Sequence, residues 1–188
     1  MSPWGRGKPT PKFTFSVKIK EAPRRRGVTS IQIRAATLED IPTIAFVLRE
    51  SFLEFEPLNT PGGFAATTPN DDQIRVRWSE GPVWVAISDG AVVGTVAAVV
   101  QKESHYVRSM AVLPTARGRD AGKSLLKEVE GYALEQGCTR LYLSTTPFLA
   151  QTIRLYERYG FQRIPEGPTD LFGTSLITME KLFDEPRP

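Results

Sequence analysis

The segment from Tyr106 to Phe161 constrains the fold of this 188-residue chain more than any other part. It begins with an apolar strand pattern, passes through a short glycine-bearing loop into an amphipathic helix pattern, and reaches a second strand pattern at 141–144. Two strands joined in this way lie parallel in one sheet through a right-handed crossover. Because the first backbone N–H groups of the helix have no partners within it, the loop also predicts an anion site, suited to a pyrophosphate.

The remaining patterns predict one α/β domain with a mixed sheet and helices on both faces. Pro42 fits the first turn of a helix whose apolar face runs to Phe52. Asp89-Gly90 predicts a hairpin turn, and Gly137 and Gly160 predict helix ends. The predicted strands lie at 31–34, 83–87, 92–100, 105–113, 141–144 and 176–182. The other predicted segments are a loop at Glu54–Thr68, a short helix containing Ile74 and Trp78, a helix from about Asp120 to Gln136, and a helix ending at Gly160.

Charge is unevenly distributed along the chain. The residues before Thr29 contain eight Lys and Arg against one acid, a balance of +7, and subtracting this from the whole-chain +3 leaves −4. We therefore predict a basic extension at 1–29, disordered or adding a strand, a folded domain at 30–184 and a tail at 185–188. A folded nucleic-acid surface would need basic and aromatic residues on one face, which the sequence lacks. Nucleic-acid binding through the extension stays an alternative.

The rare residue types exclude several classes of protein. Cys138 is the only cysteine and His105 the only histidine, so the chain has no intrachain disulfide and we predict no metal site. No apolar run approaches the roughly 18 residues of a membrane span. A reducing cytoplasm is the expected location.

Two motifs resemble the GNAT-type N-acetyltransferase superfamily. The first is Met110-Ala111-Val112-Leu113-Pro114 followed by Arg117-Gly118-Arg119-Asp120-Ala121-Gly122, near the family pattern Arg/Gln-x-x-Gly-x-Gly/Ala. The second is the segment 155–161, Leu-Tyr-Glu-Arg-Tyr-Gly-Phe, near the family's Leu-Tyr-x-x-x-Gly-Phe. The order of elements from 31 to 182 is also similar to that of the family.

The resemblance implies a mostly antiparallel sheet in which one parallel strand pair splays apart to admit acetyl-CoA as cosubstrate. A backbone N–H near Ala111 or Val112 would polarise the thioester carbonyl, and Tyr156 would protonate the departing thiolate. A core aromatic is the alternative for Tyr156. The cofactor-binding residues implied by the first motif are Met110, Ala111, Val112, Arg117, Gly118, Arg119, Asp120, Ala121, Gly122 and Lys123.

The sequence departs from the family at two positions. Asp120 stands at the first glycine of the loop, where its carboxylate would oppose a pyrophosphate or, alternatively, cap the helix. Tyr106 aligns with the glutamate that frequently serves as general base in the family, so the resemblance does not assign a general base in this chain. Glu103 is our candidate base, and His105, Glu54 and Glu56 are alternatives by location.

The ending Ala121-Gly122-Lys123-Ser124 is similar to that of a P-loop. We set that interpretation aside because only three residues separate Gly118 from Gly122, where a P-loop has four.

The sequence therefore predicts an acyl-CoA-dependent N-acetyltransferase. Its acceptor would be an amine-bearing small molecule or peptide, and the acidity of the domain suits a cationic amine. A homodimer is consistent with the resemblance. The competing interpretation is a non-catalytic module of the same fold that binds coenzyme A or a peptide.

Overall fold

A computed structural model describes residues 30–183 of the chain. The predictions for the basic extension at 1–29 and for the tail at 185–188 lie outside the described residues. Within residues 30–183, no helix is both long and apolar enough to cross a membrane.

Seven strands form the main sheet in the order β1-β2-β3-β4-β5-β9-β6, and a short hairpin, β7–β8, stands apart from it. Every neighbouring pair in the main sheet is antiparallel except β4 and β5, which are parallel. The strands are β1 Gln32–Ala35, β2 Val83–Ser88, β3 Ala91–Val100, β4 Ser104–Val112, β5 Arg140–Thr145, β6 Gln162–Ile164, β7 Asp170–Leu171, β8 Thr174–Ser175 and β9 Ile177–Leu182.

Helices cover both faces of the main sheet, as predicted. On one face α4 and α5 pack on a core that includes Leu125, Leu141 and Met179. On the other face α1 and α3 pack on a second core around Val85. The α-helices are α1 Ile41–Phe52, α2 Pro61–Thr67, α3 Asp71–Arg77, α4 Ala121–Glu135 and α5 Ala150–Arg158. The predicted fold class, a mixed α/β sheet with one parallel pair, is confirmed.

The predicted loop at Glu54–Thr68 is wrong, because most of this segment is helical. A 3-10 segment, Leu53–Leu58, is followed by the two-turn helix α2, whose N-cap Thr60 accepts a hydrogen bond from the N–H of Gly63 at 3.0 Å. The Pro and Gly content that favoured a loop serves helix initiation and close packing instead. A Cβ on Gly63 would lie 2.2 Å from the Thr174 hydroxyl, so the glycine lets α2 contact the β7–β8 hairpin.

Candidate active site

The loop before α4 presents a continuous row of free backbone donors. Among the described residues, no hydrogen-bond acceptor is paired with the backbone N–H of any residue from 118 to 123. The first amide of this helix that has a partner belongs to Ser124, which donates to the carbonyl of Asp120 at 2.9 Å. Six consecutive unpaired donors at a helix N-terminus form a site for an anion.

Left-handed backbone at two loop positions shapes this row. Gly118 has φ 76° and Asp120, at the N-cap position, has φ 61°. Residues of this conformation within a turn help to aim successive N–H groups into one concavity, which binds anions. The Asp120 side chain makes no capping hydrogen bond, so the alternative in which its carboxylate caps α4 is not observed.

The Arg117 side chain is engaged by protein rather than directed to the row of amides. Its guanidinium donates to the Ser51 carbonyl at the end of α1 at 2.9 Å, pairs with the Glu54 carboxylate, and donates from Nε to the Val112 carbonyl at 3.3 Å. Arg117 therefore ties the loop to α1 and to the end of β4. Arg119 and Lys123 are the exposed cations beside the row.

A cleft opens between the two parallel strands. β4 and β5 pair only at Ser104–Tyr106 with Arg140–Tyr142, and the later residues of both strands have no partner across this gap. The Leu113 N–H donates to the Val93 carbonyl on β3 at 2.8 Å. By the alternation of an antiparallel ladder, Ala111 also faces β3 and the Val112 N–H faces the cleft. Of the two amides proposed for carbonyl polarisation, only that of Val112 is directed there.

A β-bulge in β4 accompanies the separation of the strands. The register between β3 and β4 shifts between Thr95 and Ala97, so Ser109 and Met110 both oppose Val96. Ser109 has φ 54°, an uncommon value for a residue with a side chain. Bulges bend a strand and increase its twist locally, which explains why β4 leaves β5 after Tyr106.

The segment 155–161 forms a helix end that fixes Tyr156. The Phe161 N–H donates to the Tyr156 carbonyl at 3.0 Å, the Gly160 N–H donates to the Glu157 carbonyl at 3.1 Å, and Gly160 has φ 99°. These are the hydrogen bonds of a Schellman motif, which is commonly accompanied by a hydrophobic contact such as the one seen here. The rings of Tyr156 and Phe161 lie 5.7 Å apart between centroids. The motif therefore holds the Tyr156 ring in one place.

The Tyr156 ring is buried, while its hydroxyl keeps some contact with solvent. The residue is 5% exposed and belongs to the core beneath α4 and α5. The hydroxyl has no hydrogen-bond partner among the described residues, yet it is not one of the polar atoms sealed from solvent. Burial, with a smaller effect of nearby Tyr106, raises the pKa of the Tyr156 phenol well above its ordinary value. The phenol therefore stays protonated at neutral pH.

Leu155 joins the two motifs. A Cβ on Gly122 would lie 2.8 Å from Leu155 Cδ2 and 3.4 Å from Met110 Cε, so the first turn of α4 packs directly on α5 and β4. This close packing fixes the amide row relative to Tyr156, the next residue on α5.

The structure does not bring Glu103 to this cleft. Glu103 lies in the turn before β4, at the opposite end of that strand from the amide row, and its carbonyl accepts from the Thr139 N–H at 3.2 Å. His105 is 1% exposed beside Cys138, and the Glu54 carboxylate pairs with Arg117. The Glu103 and Glu56 side chains are exposed, and neither carboxylate has a partner among the described residues. The identity of the general base stays a prediction.

An open groove of about 600 Å³ lies at the carboxyl end of β5. It is bounded by the 3-10 segment, by the β5–α5 loop and by the β7–β8 hairpin, and Phe55 stacks on Phe148 at 6.0 Å beside it. Sequence reasoning missed this groove because the hairpin was not predicted. It also missed a cluster of Arg77, Glu80 and Arg108 beside Tyr106, since charged residues far apart in sequence leave no local pattern.

Comparisons with known proteins agree with this geometry. Residues 45–161 match the model of the Acetyltransferase (GNAT) family. The chain is 36% identical over 138 residues to the "Uncharacterized N-acetyltransferase YjgM" of Escherichia coli (strain K12), covering 70% of this chain and 82% of that protein. It is 34% identical over 109 residues to the human N-acetylaspartate synthetase, covering 55% of this chain and 35% of that protein.

Solved structures show the same fold. PaiA N-acetyltransferase from Thermoplasma acidophilum, in complex with coenzyme A, gives a TM-score of 0.69 at 19% identity and covers 82% of this chain and 99% of its own. YncA from Salmonella typhimurium, solved with acetyl-CoA, gives a TM-score of 0.65 at 22% identity and covers 84% of this chain and 96% of its own. The resemblance inferred from the two motifs is confirmed: the chain belongs to the GNAT family of acetyltransferases, whose cosubstrate is acetyl-CoA.

Proposed function

We propose that the protein transfers an acetyl group from acetyl-CoA directly to a primary amine. One observation carries the proposal: the row of six free amides and the Tyr156 phenol lie on packed, adjacent elements beside one opening in the sheet. An anion-binding row and a protonated acid in this arrangement suit a cosubstrate that has a pyrophosphate at one end and a thioester at the other. The names of the relatives support N-acetylation as the reaction.

The chain has the groups that the cosubstrate needs. The amides of residues 118–123 would hold the pyrophosphate, with Arg119 and Lys123 supplying positive charge. The unpaired edges of β4 and β5 would accept the pantetheine arm as an added strand. Acetyl-CoA, when bound, supplies an acetyl thioester. The Val112 N–H would then stabilise negative charge on the thioester oxygen.

Tyr156 would supply the proton that the leaving thiolate requires. In the overall exchange a carbon–nitrogen bond forms, the carbon–sulfur bond breaks, the neutral amine loses one proton to water, and sulfur takes one from the Tyr156 hydroxyl, which regains a proton from solvent. Because burial raises the phenol pKa, the acid form is present throughout the neutral range. Glu103 lies at the opposite end of β4 from the amide row, and water at the open side of the cleft is the proposed acceptor of the amine proton.

The test is Tyr156→Phe, which keeps the ring contact with Phe161 and removes only the hydroxyl. We expect kcat to fall by about 10²- to 10⁴-fold, the range for general acid catalysis, with no change in the Kd of coenzyme A. Free thiol release from acetyl-CoA with a panel of amines measures turnover. Tyr159→Phe is the matched control, because that ring lies 4.4 Å beneath the Lys181 Nζ, away from the cleft.

The pH profile gives an independent check on Tyr156. A raised pKa keeps the acid protonated above pH 10, where an ordinary tyrosine loses its proton. The wild-type kcat should therefore show no loss from deprotonation of the acid between pH 7 and 10. Full activity of Tyr156→Phe, or an alkaline loss with a midpoint below pH 10 that this substitution abolishes, would contradict the proposed role.

The second candidate is a non-catalytic module that binds coenzyme A. Two departures from the family pattern favour it. Asp120 stands where the family has a glycine, and Tyr106 stands where the family frequently has a glutamate. The two candidates are separated by thermal stabilisation and turnover together: a binding module is stabilised by acetyl-CoA and releases no thiol with any amine. Homodimer formation and cytoplasmic location stay predictions.

A further inference from the structure

A cationic cluster lies on one side of the cleft, on the face of the sheet covered by α1 and α3. Residues 106 and 108 of β4 share this face, because side chains alternate along a strand and both flanking residues, His105 and Val107, are buried on the α4 side. Arg77, at the end of α3, is close enough to Arg108, Glu80 and Tyr106 for these groups to affect the pKa of its guanidinium. Tyr106 in turn is near enough to Tyr156 to contribute to the raised pKa of the Tyr156 phenol.

The cluster has one positive charge more than its acidic partner balances. Arg108 pairs with the Glu80 carboxylate at 2.5 Å. Arg77 has only a long hydrogen bond, 3.4 Å, to the Ala66 carbonyl, and no acid among the described residues forms an ion pair with it. Burial, and then the neighbouring Arg108, lower the pKa of the Arg77 guanidinium.

Glu80 acts on both arginines, so two guanidinium groups share one carboxylate. Arg77 is half-buried, and a buried charge without an ion pair of its own is unfavourable in the free protein. A purely structural ion pair would need one arginine for Glu80. The second arginine therefore indicates that an anion completes the cluster.

We propose that the acceptor amine also carries a carboxylate, which Arg77 and Arg108 bind while the amine faces the cleft. Guanidinium groups match a carboxylate geometrically, with two parallel N–H donors to its two oxygens. Arg108 lies on the stretch of β4 that no longer pairs with β5, so the carboxylate site and the cleft border the same opening. Free amino acids are the smallest acceptors that carry both an amine and a carboxylate. The inference rests on the proposed function and narrows the expected cationic amine to a zwitterionic one.

Matched pairs of acceptors test the inference on the full-length protein. Each free amino acid in a panel is compared with its carboxamide, which keeps the side chain and the amine and removes the negative charge. Thiol release from acetyl-CoA at saturating cosubstrate gives kcat and KM for both. We expect kcat/KM to favour the carboxylate by about 10- to 100-fold, the range for hydrogen bonds to a charged group, mainly through KM.

Variants assign the preference to the cluster. Arg77→Gln should reduce the difference between the two members of a pair, because the larger loss of kcat/KM falls on the carboxylate. Arg108→Lys, which keeps the charge but not the planar fork, should reduce the difference partly. Arg75→Gln is the control, since Arg75 is exposed on the same helix and has no described partner. An unchanged coenzyme A Kd shows that each variant is folded.

Every outcome decides the inference. Carboxamides acetylated as well as, or better than, free amino acids would overturn it and leave the proposed function standing. Equal losses for both members of a pair in Arg77→Gln would make the residue structural and would also overturn it. If no amine of either kind releases thiol although coenzyme A binds, the proposed function fails and the inference fails with it.

Discussion

Asp120 is the residue at which this loop departs furthest from the pattern of its family. Its φ of 61° is a conformation that glycine adopts freely and that aspartate tolerates better than most residues. The chain therefore keeps the loop geometry while placing a carboxylate beside the anion-binding amides. The backbone suits a pyrophosphate and the side chain opposes it.

Removing this carboxylate should tighten cofactor binding. Asp120→Asn and Asp120→Gly both delete the negative charge and both tolerate positive φ, so each should lower the Kd of coenzyme A about fivefold, for a repulsion of about 1 kcal/mol. Isothermal titration at low and high salt measures the effect, which should shrink as salt screens it. Asp89→Asn is the matched control, because Asp89 has φ 52° in the β2–β3 turn, remote from the loop. An unchanged Kd in both Asp120 variants would show that the carboxylate does not face the anion.

The sequence predicted individual residues where a motif fixes the backbone, and failed where only tertiary contacts do. The places of Gly122 in the first turn of α4 and of Tyr156 in the last turn of α5 agree with the sequence motifs, and the roles of both residues stay predictions. Arg117 was predicted to bind the cofactor, and its side chain instead contacts the Ser51 carbonyl and the Glu54 carboxylate, which are more than 60 residues away in the chain. Arg77 and Arg108 were missed for the same reason.

At the scale of elements, the first turn of α4 depends on its packing against α5. Gly122 allows this contact because the Cβ of any other residue would lie 2.8 Å from Leu155 Cδ2. Gly131, in the same helix, offers the opposite environment, since a Cβ there meets nothing within 4 Å. One helix thus contains a glycine required by packing and a glycine that packing does not require.

Alanine at these two glycines should have opposite effects. Gly131→Ala should raise the free energy of unfolding by about 0.5–1 kcal/mol, because alanine favours the helix. Gly122→Ala should lower it by about 1 kcal/mol or more through overpacking, and should weaken coenzyme A binding by displacing the amide row. Urea unfolding and cofactor titration measure both quantities.

A double variant identifies the source of the Gly122 effect. In a Leu155→Ala background the clash is absent, so adding Gly122→Ala should cost little further stability. An equal cost in both backgrounds would assign the effect to the backbone rather than to Leu155.

Elements were predictable where periodicity was strong. Strands β3 and β4, the turn between β2 and β3, and helix α4 lie within one or two residues of their predicted bounds. Helix α2 and the β7–β8 hairpin were not predictable, because each is stabilised by contacts with the other. The Thr60 hydroxyl donates to the Phe172 carbonyl at 2.6 Å, a contact between residues 112 positions apart that leaves no local pattern.

At the scale of the whole molecule, the sheet consists of two parts joined weakly at one place. β1 to β4 form one part, and β5, β9 and β6 form the other. Between them the paired positions are only Ser104–Tyr106 with Arg140–Tyr142. A pantetheine arm in the opening would act as the missing strand, so cofactor binding should stabilise the connection between the two parts as well as the loop proposed to hold the pyrophosphate.

Thermal unfolding and hydrogen exchange with and without coenzyme A test this coupling. At 100 times its Kd the cofactor should add about 2.7 kcal/mol of stability, which raises the Tm of a chain of this size by about 5–10 °C. Exchange should slow at the amides of residues 118–123, through the pyrophosphate, and at Val112, through the arm. The Leu113 amide is the internal control, since it already donates to Val93 in the free protein. Protection at 118–123 without protection at Val112 would mean that the pyrophosphate site forms while the arm does not pair with β4, and the two parts of the sheet would then remain joined only near Tyr106.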